Sequence, residues 1–138
     1  MSAPVTSEVV PVAEYLVLGD HPHLAGFRCA ECGAIYLLRR SACSRCGAAD
    51  FGAREDLGDS GVVTAATVVH RGPQGVPTPF VSGVVALIGG GYVRTNLSGA
   101  VDDVVATIGR RAVLRTRRVA TDSRGVEAIG YEFEVQQS

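Results

Sequence analysis

The sequence predicts a mainly β protein in three parts: an N-terminal arm over residues 1–26, a four-cysteine module over 27–55 and a five-stranded barrel over 56–138. Three observations carry this. All four cysteines lie in one segment, FRCAECGAIYLLRRSACSRCGAADF (27–51), as two CxxC pairs of identical spacing. Beyond it the chain reads as short β-branched runs broken by Gly and Pro. The period changes to a helical one in a single place, residues 101–108. A length of 138 residues suits one core of ordinary size.

The arm is punctuated by Pro4, Pro11 and Pro22, and its one strong apolar run is Tyr15-Leu16-Val17-Leu18. It reads as extended, with room for one helical turn. His21-Pro22-His23 reads as a polar turn ahead of the cysteines rather than as a ligand pair.

In the module, Cys29 and Cys32 are separated by ten residues from Cys43 and Cys46. A CxxC pair folds into a knuckle that presents two thiolates from one tight turn. Gly33 and Gly47 follow the second cysteine of each pair, where the backbone must bend sharply. Two facing knuckles put four sulfurs at the corners of a tetrahedron, which a d¹⁰ ion accepts without strain. A thioredoxin-like redox pair needs one CxxC beside a βαβ unit, which is missing, and disulfides suit an exported protein. Zinc is the expected ion. Iron fits the same four sulfurs, as in rubredoxin, and the sequence does not discriminate between them. Four sulfurs leave no open coordination position, so the expected role is structural.

The barrel elements follow in order. VVTAATVVH (62–70) is the first strand, and FVSGVVALI (80–88) the second. Gly89–Gly91 turns into YVRTNL (92–97), making a hairpin. Val101, Val104, Val105 and Ile108 recur at i, i+3, i+4 and i+7, the apolar stripe of a short helix. Asp102 and Asp103 fall in its expected first turn, with Gly109 as its stop. RRAVLRTRRVA (110–120) and VEAIGYEFEV (126–135) close the chain, and Ile129, Tyr131, Phe133 and Val135 alternate with polar or small residues on the last strand. Three strands, a helix and two strands is the plan of the OB-fold, a partly open Greek-key barrel.

Charge narrows the function. The net charge is −1 and all thirteen basic residues are arginines, not the balance of a protein that lives on nucleic acid or anionic lipid. Residues 94–124 nonetheless hold seven Arg against three Asp, and the guanidinium fork suits phosphate. The start lacks a basic leader, Glu8, Pro11 and Glu14 interrupt its apolar run, and no stretch reaches the roughly 20 apolar residues of a membrane span. The expected compartment is the cytoplasm, with no membrane contact.

The cysteine pair and the barrel together resemble one family: acyl-CoA-associated proteins in which a rubredoxin-like zinc ribbon precedes an OB-fold, long catalogued as a domain of unknown function. The residues that carry the resemblance are FRCAECG and CSRCGAADF at the knuckles, SGVVTAATVVHRGP (60–73), PFVSGVVALI (79–88), NLSG (96–99), IGRRAVL (108–114) and GYEF (130–133). The chain departs from it at Leu37-Leu38 after Tyr36, at Ala42 before Cys43, and at Gly89–Gly91. The resemblance implies a non-catalytic accessory subunit that binds and stabilises a thiolase-superfamily enzyme acting on acyl-CoA: a thiolase, an acyltransferase or a steroid side-chain aldolase. The partner would supply the catalytic residues and this chain would help form the acyl-CoA passage.

The residues themselves offer no catalytic set, since every cysteine is committed to the cage and His70 has no nucleophile beside it by motif. Contact candidates are His70, Arg71, Phe80, Arg94, Arg115 and Arg117. The arginines could meet CoA phosphates, although a solvated basic face is the blander and favoured reading for Arg94, Arg115 and Arg117. The loop Gly72–Phe80 carries Pro73, Pro77 and Pro79, which stiffen it for an interface. Phe80 reads as an interface anchor or, in preference, as the first core residue of strand two. The alternative function is single-stranded nucleic-acid binding, which wants a positive groove and aromatic platforms. A free-standing enzyme acting through His70 is the third reading.

Overall fold

The computed structural model describes residues 8–137, so residues 1–7, including Pro4 of the arm, and Ser138 lie outside the description. The arm and cysteine module supply β1 (Val9–Pro11), β2 (Leu16–Val17), β3 (His23–Arg28), β4 (Ile35–Tyr36) and β5 (Glu55–Gly58). The remainder supplies β6 (Ser60–Val69), β7 (Phe80–Leu87), β8 (Tyr92–Gly99), α1 (Val104–Thr107), β9 (Arg111–Thr121) and β10 (Glu127–Val135).

β6 to β10 close a barrel. β6, β7 and β8 form an antiparallel meander. The chain then crosses through α1 and returns as the β9–β10 hairpin. β10 pairs in parallel with the end of β8, Phe133–Val135 against Leu97–Gly99, and β9 pairs with the start of β6, Arg111–Val113 against Ser60–Val62. That ring, with strand order first-second-third-fifth-fourth, is the OB-fold expected from the sequence. The period-2 pattern sets its inside: on β8, Val93, Thr95 and Leu97 are buried while Tyr92, Arg94 and Asn96 face out. β6 and β7 approach closely at Gly61, where a Cβ would run into the Ala86 carbonyl.

The helix sits where expected, but only part of its apolar stripe faces the core. It is a single turn, with Asp103 as its N-cap accepting from the Val105 and Ala106 amides, and Gly109 follows with φ +93°. Its buried residue is Thr107, while Val105 is 80% exposed and Ile108 48%. Of the apolar stripe, Val101 packs against the core and Val104 is half-buried, whereas Val105 and Ile108 face out. One turn is too short for a 3.6-residue period to bury all four positions of the stripe.

The arm is more ordered than its prolines suggest. β1 lies parallel to β10, Val9–Pro11 against Glu127–Ile129, and a turn bonded from the Leu16 amide to the Ala13 carbonyl replaces the expected helical turn. β3 pairs with β2, β4 and β5, and so runs from the arm into the cysteine module. Leu16, Leu24 and Leu57 from this second sheet share one core with Val63, Val85, Val93, Leu97, Leu114 and Phe133 of the barrel. The Gly89 amide, at the β7–β8 turn, donates to the Leu57 carbonyl at 2.9 Å and ties the two sheets at their join.

Candidate metal centre and contact surfaces

The two knuckles are built alike. The Gly33 amide donates to the Cys29 carbonyl at 3.0 Å and the Cys29 amide to the Ala34 carbonyl at 2.7 Å. The second knuckle repeats both bonds, Gly47 to Cys43 at 2.8 Å and Cys43 to Ala48 at 2.7 Å. Gly33 and Gly47 take φ of 81° and 82°, a left-handed conformation that side chains other than glycine's rarely adopt. This is why glycine stands after each pair. Only the first knuckle continues into a hairpin, Phe27–Arg28 against Ile35–Tyr36; the second is held by the bridge of Cys29 to Phe51.

The four Sγ atoms lie within 4.8 Å of one another, with Cys29–Cys46 and Cys32–Cys43 each at 3.6 Å. Disulfide sulfurs sit about 2.05 Å apart, so this is not a pair of disulfides. A zinc tetrahedron with Zn–S near 2.3 Å has edges of about 3.8 Å, which these distances match. The donor set fits a structural tetrathiolate ion, zinc or iron, held by Cys29, Cys32, Cys43 and Cys46.

The surroundings favour a charged cage. The Tyr36 hydroxyl lies 3.4 Å from Cys43 Sγ, and this hydrogen bond, helped by backbone amides, holds the Cys43 thiol down to about 6. Cys46 goes the other way, to about 12: the Ala48 backbone favours its thiolate, but desolvation and the sulfurs of Cys29, Cys32 and Cys43 outweigh it. Four crowded sulfurs cannot all ionise without a cation among them, which a dication provides. Tyr36 is itself fixed by Ser44, whose amide donates to the hydroxyl at 3.2 Å, and by an edge-on contact with Phe51 at 5.9 Å. Arg40 lies 4.7 Å over its ring. The sequence marks the cage but not this support, because a tyrosine four residues past a cysteine has no distinctive spacing.

The other candidates do not converge on one site. His70 and Arg71 are exposed and directly follow β6. Phe80 sits across from Val69, half-buried and outside the core cluster, beside the loop at Gly72. The preferred reading of Phe80 as a core residue is thereby corrected: it shares the outward face of β7 with Ser82 and Val84. Arg94 is exposed on β8 and lines a shallow groove of about 390 Å³ with Ala65, Thr67, Val69, Ser82 and Val84. Arg115 and Arg117 are elsewhere, on β9, and each faces a glutamate of β10: Arg115–Glu134 at 3.0 Å and Arg117–Glu132 at 3.6 Å. Paired in this way they are no ready phosphate clamp.

Of the barrel's aromatic residues, Phe133 is buried, Phe80 and Tyr131 are half-buried, and Tyr92 alone stands exposed, so no run of stacking platforms lines the surface. Among the described residues no helix is long and apolar enough to cross a membrane.

Comparison with known proteins agrees with this architecture in both halves. Residues 18–52 match the family described as "ChsH2, rubredoxin-like zinc ribbon domain", and residues 54–117 match "ChsH2, C-terminal OB-fold domain". A solved structure described as "Ltp2-ChsH2(DUF35) aldolase" contains a chain that is 26% identical, with a TM-score of 0.57, over 80% of this chain and 84% of that one. No curated protein matches the sequence.

Proposed function

The chain belongs to the ChsH2 family, in which a rubredoxin-like zinc ribbon precedes an OB-fold domain, and from that membership we propose that it is a non-catalytic accessory subunit of a thiolase-superfamily enzyme acting on acyl-CoA. The observation that carries the reading is the likeness, across 80% of the chain, to a protein in an aldolase structure that pairs Ltp2 with ChsH2. The chemistry of the chain supports it. Its cage is a closed tetrathiolate, which holds a fold but activates no water. Its barrel histidine, His70, is exposed on the residue after β6 and no side-chain hydrogen bond holds it among the described residues. Reaction steps belong to the partner, and this chain stabilises it in the cytoplasm and contributes a wall of the acyl-CoA passage. Zinc is the ion we assign to the cage.

Co-expression with the thiolase-like protein encoded nearest to it, followed by size exclusion and metal analysis, tests the reading. A stable complex that turns over acyl-CoA, with about one zinc per copy of this chain, supports it. A zinc-loaded chain that ignores such partners and shifts single-stranded DNA at physiological salt sinks it.

A further inference from the structure

The two open strand edges of the barrel are treated very differently. β9 pairs with β6 only at Arg111–Val113, so from Arg115 onward its outer edge is free among the described residues. That edge carries Arg115, Arg117 and Arg118 and faces an irregular register at Ala128/Ile129, the charge and distortion by which sheets discourage added strands. Among the described residues the outer edge of β6 is also free past Val63, since its contact with β9 ends there. Its open stretch, Thr64-Ala65-Ala66-Thr67-Val68-Val69, has no charge and no proline.

The hydrogen-bond alternation says which groups on that edge are unused. The Ile88 amide donates to Ser60, and the Val63 amide donates across to Arg110, so before the bulge odd-numbered residues of β6 face β9. The register shift between Val63 and Ala65 reverses this parity. Ala65, Thr67 and Val69 then bond to β7, while Ala66 and Val68, opposite Gly83 and Val81, turn their amides and carbonyls outward. No backbone partner takes them among the described residues. α1 packs near β6; Ala65 and Thr67 are exposed, and Ala66 and Val68 are half-buried.

The edge ends in a cation. Arg71 stands two residues beyond it, is exposed, and has no carboxylate within 4.0 Å among the described residues, unlike Arg115, Arg117 and Arg118. A second copy offering the same edge would bring no carboxylate, because Ser60–Val69 contains none. We propose that Thr64–Val69 accepts one extended segment of a protein partner as an added β-strand, bonded through Ala66 and Val68, with a carboxylate of that segment on Arg71. This rests on the reading that the chain works docked to an enzyme, and it names where and how the docking occurs.

Amide exchange on the full zinc-loaded chain, alone and with the thiolase-like enzyme encoded nearest to it, tests the idea. In the free chain Ala66 and Val68 exchange fast while Thr67 and Val69 are protected; in the complex Ala66 and Val68 slow by about tenfold or more. Val68→Pro, which removes an amide that β7 does not use, and Arg71→Ala should each weaken the complex by about tenfold at unchanged zinc content. A complex in which Ala66 and Val68 exchange as fast as in the free chain overturns the inference and leaves the docking reading standing. Absence of any complex removes that reading and this inference with it. Protection already present in the free chain assigns the edge to this chain or its copy and overturns the inference, as does protection produced by single-stranded DNA.

Discussion

The hydroxyls of Tyr15 and Tyr131 meet at 2.9 Å across 116 positions of sequence, joining the arm to the last strand of the barrel. Tyr131 donates onward to the Arg94 carbonyl at 3.3 Å, so it accepts from Tyr15, and the two rings pack edge-on at 5.9 Å. Tyr15→Phe therefore removes one bond between arm and barrel and should cost about 1 kcal/mol in chemical denaturation. A double-mutant cycle with Tyr131→Phe should show coupling between the two positions; additive losses would mean that the hydroxyls do not sense each other.

The same pair sets a pH limit. Burial, and then the Tyr15 hydroxyl, push the Tyr131 phenol well above its ordinary range. The unfolded chain thus loses this proton first as pH rises through about 10. The contribution is complete below that pH and is lost above it. Melting temperature should fall more steeply above pH of about 10 in the parent chain than in Tyr131→Phe. Equal slopes would exclude Tyr131 as the source.

Removal of the metal should be felt as lost structure. Cys43→Ser, or treatment of the parent chain with a strong chelator, should take metal content from about one ion per chain towards zero and lower the melting temperature. An unchanged melting curve after complete metal loss would show that the cage contributes nothing to the fold.

The hydroxyl beside Cys43 should tune that binding. Tyr36→Phe keeps the ring against Phe51 and removes the bond to sulfur. Competition with a chromophoric chelator should report about 10- to 100-fold weaker metal binding.

The ion pairs on β9 should matter little. Arg115 and Glu134 are side chains 54% and 41% exposed, in the range where such pairs contribute about 0–1 kcal/mol. Arg115→Ala should leave both stability and acyl-CoA turnover of the complex near the parent values. A large loss of turnover would restore Arg115 as a ligand contact.

The strands were legible in the sequence because each carries its own period: the alternation around Phe133 and the β-branched run Val62–Val69 need only local reading. The cage was legible because two CxxC pairs with following glycines have few uses. What stayed hidden depends on partners far away in sequence. β1 is three exposed residues, Val9, Val10 and Pro11, and nothing in them announces a parallel neighbour at Glu127–Ile129. Likewise the stripe at Val101–Ile108 is a helical pattern, but the chain closes only one turn there, burying Thr107 and leaving Val105 and Ile108 exposed. Arg115 and Arg117 read as a solvated basic face with phosphate contact as the alternative, and the sequence could not show that each pairs diagonally across the hairpin, with Glu134 and Glu132.

Leu24 and Leu57 are fully buried, yet they come from strands flanking the cysteines and, with Leu16, share one core with residues that line the barrel. The ribbon is therefore no detachable cassette. A recombinant joining this second sheet to a foreign barrel would leave Leu16, Leu24 and Leu57 without their cavity, and this barrel given a foreign second sheet would be left with a hole. Their inheritance should be joint, each half tracking the other's side-chain volumes at that seam, even where the surfaces of both diverge freely.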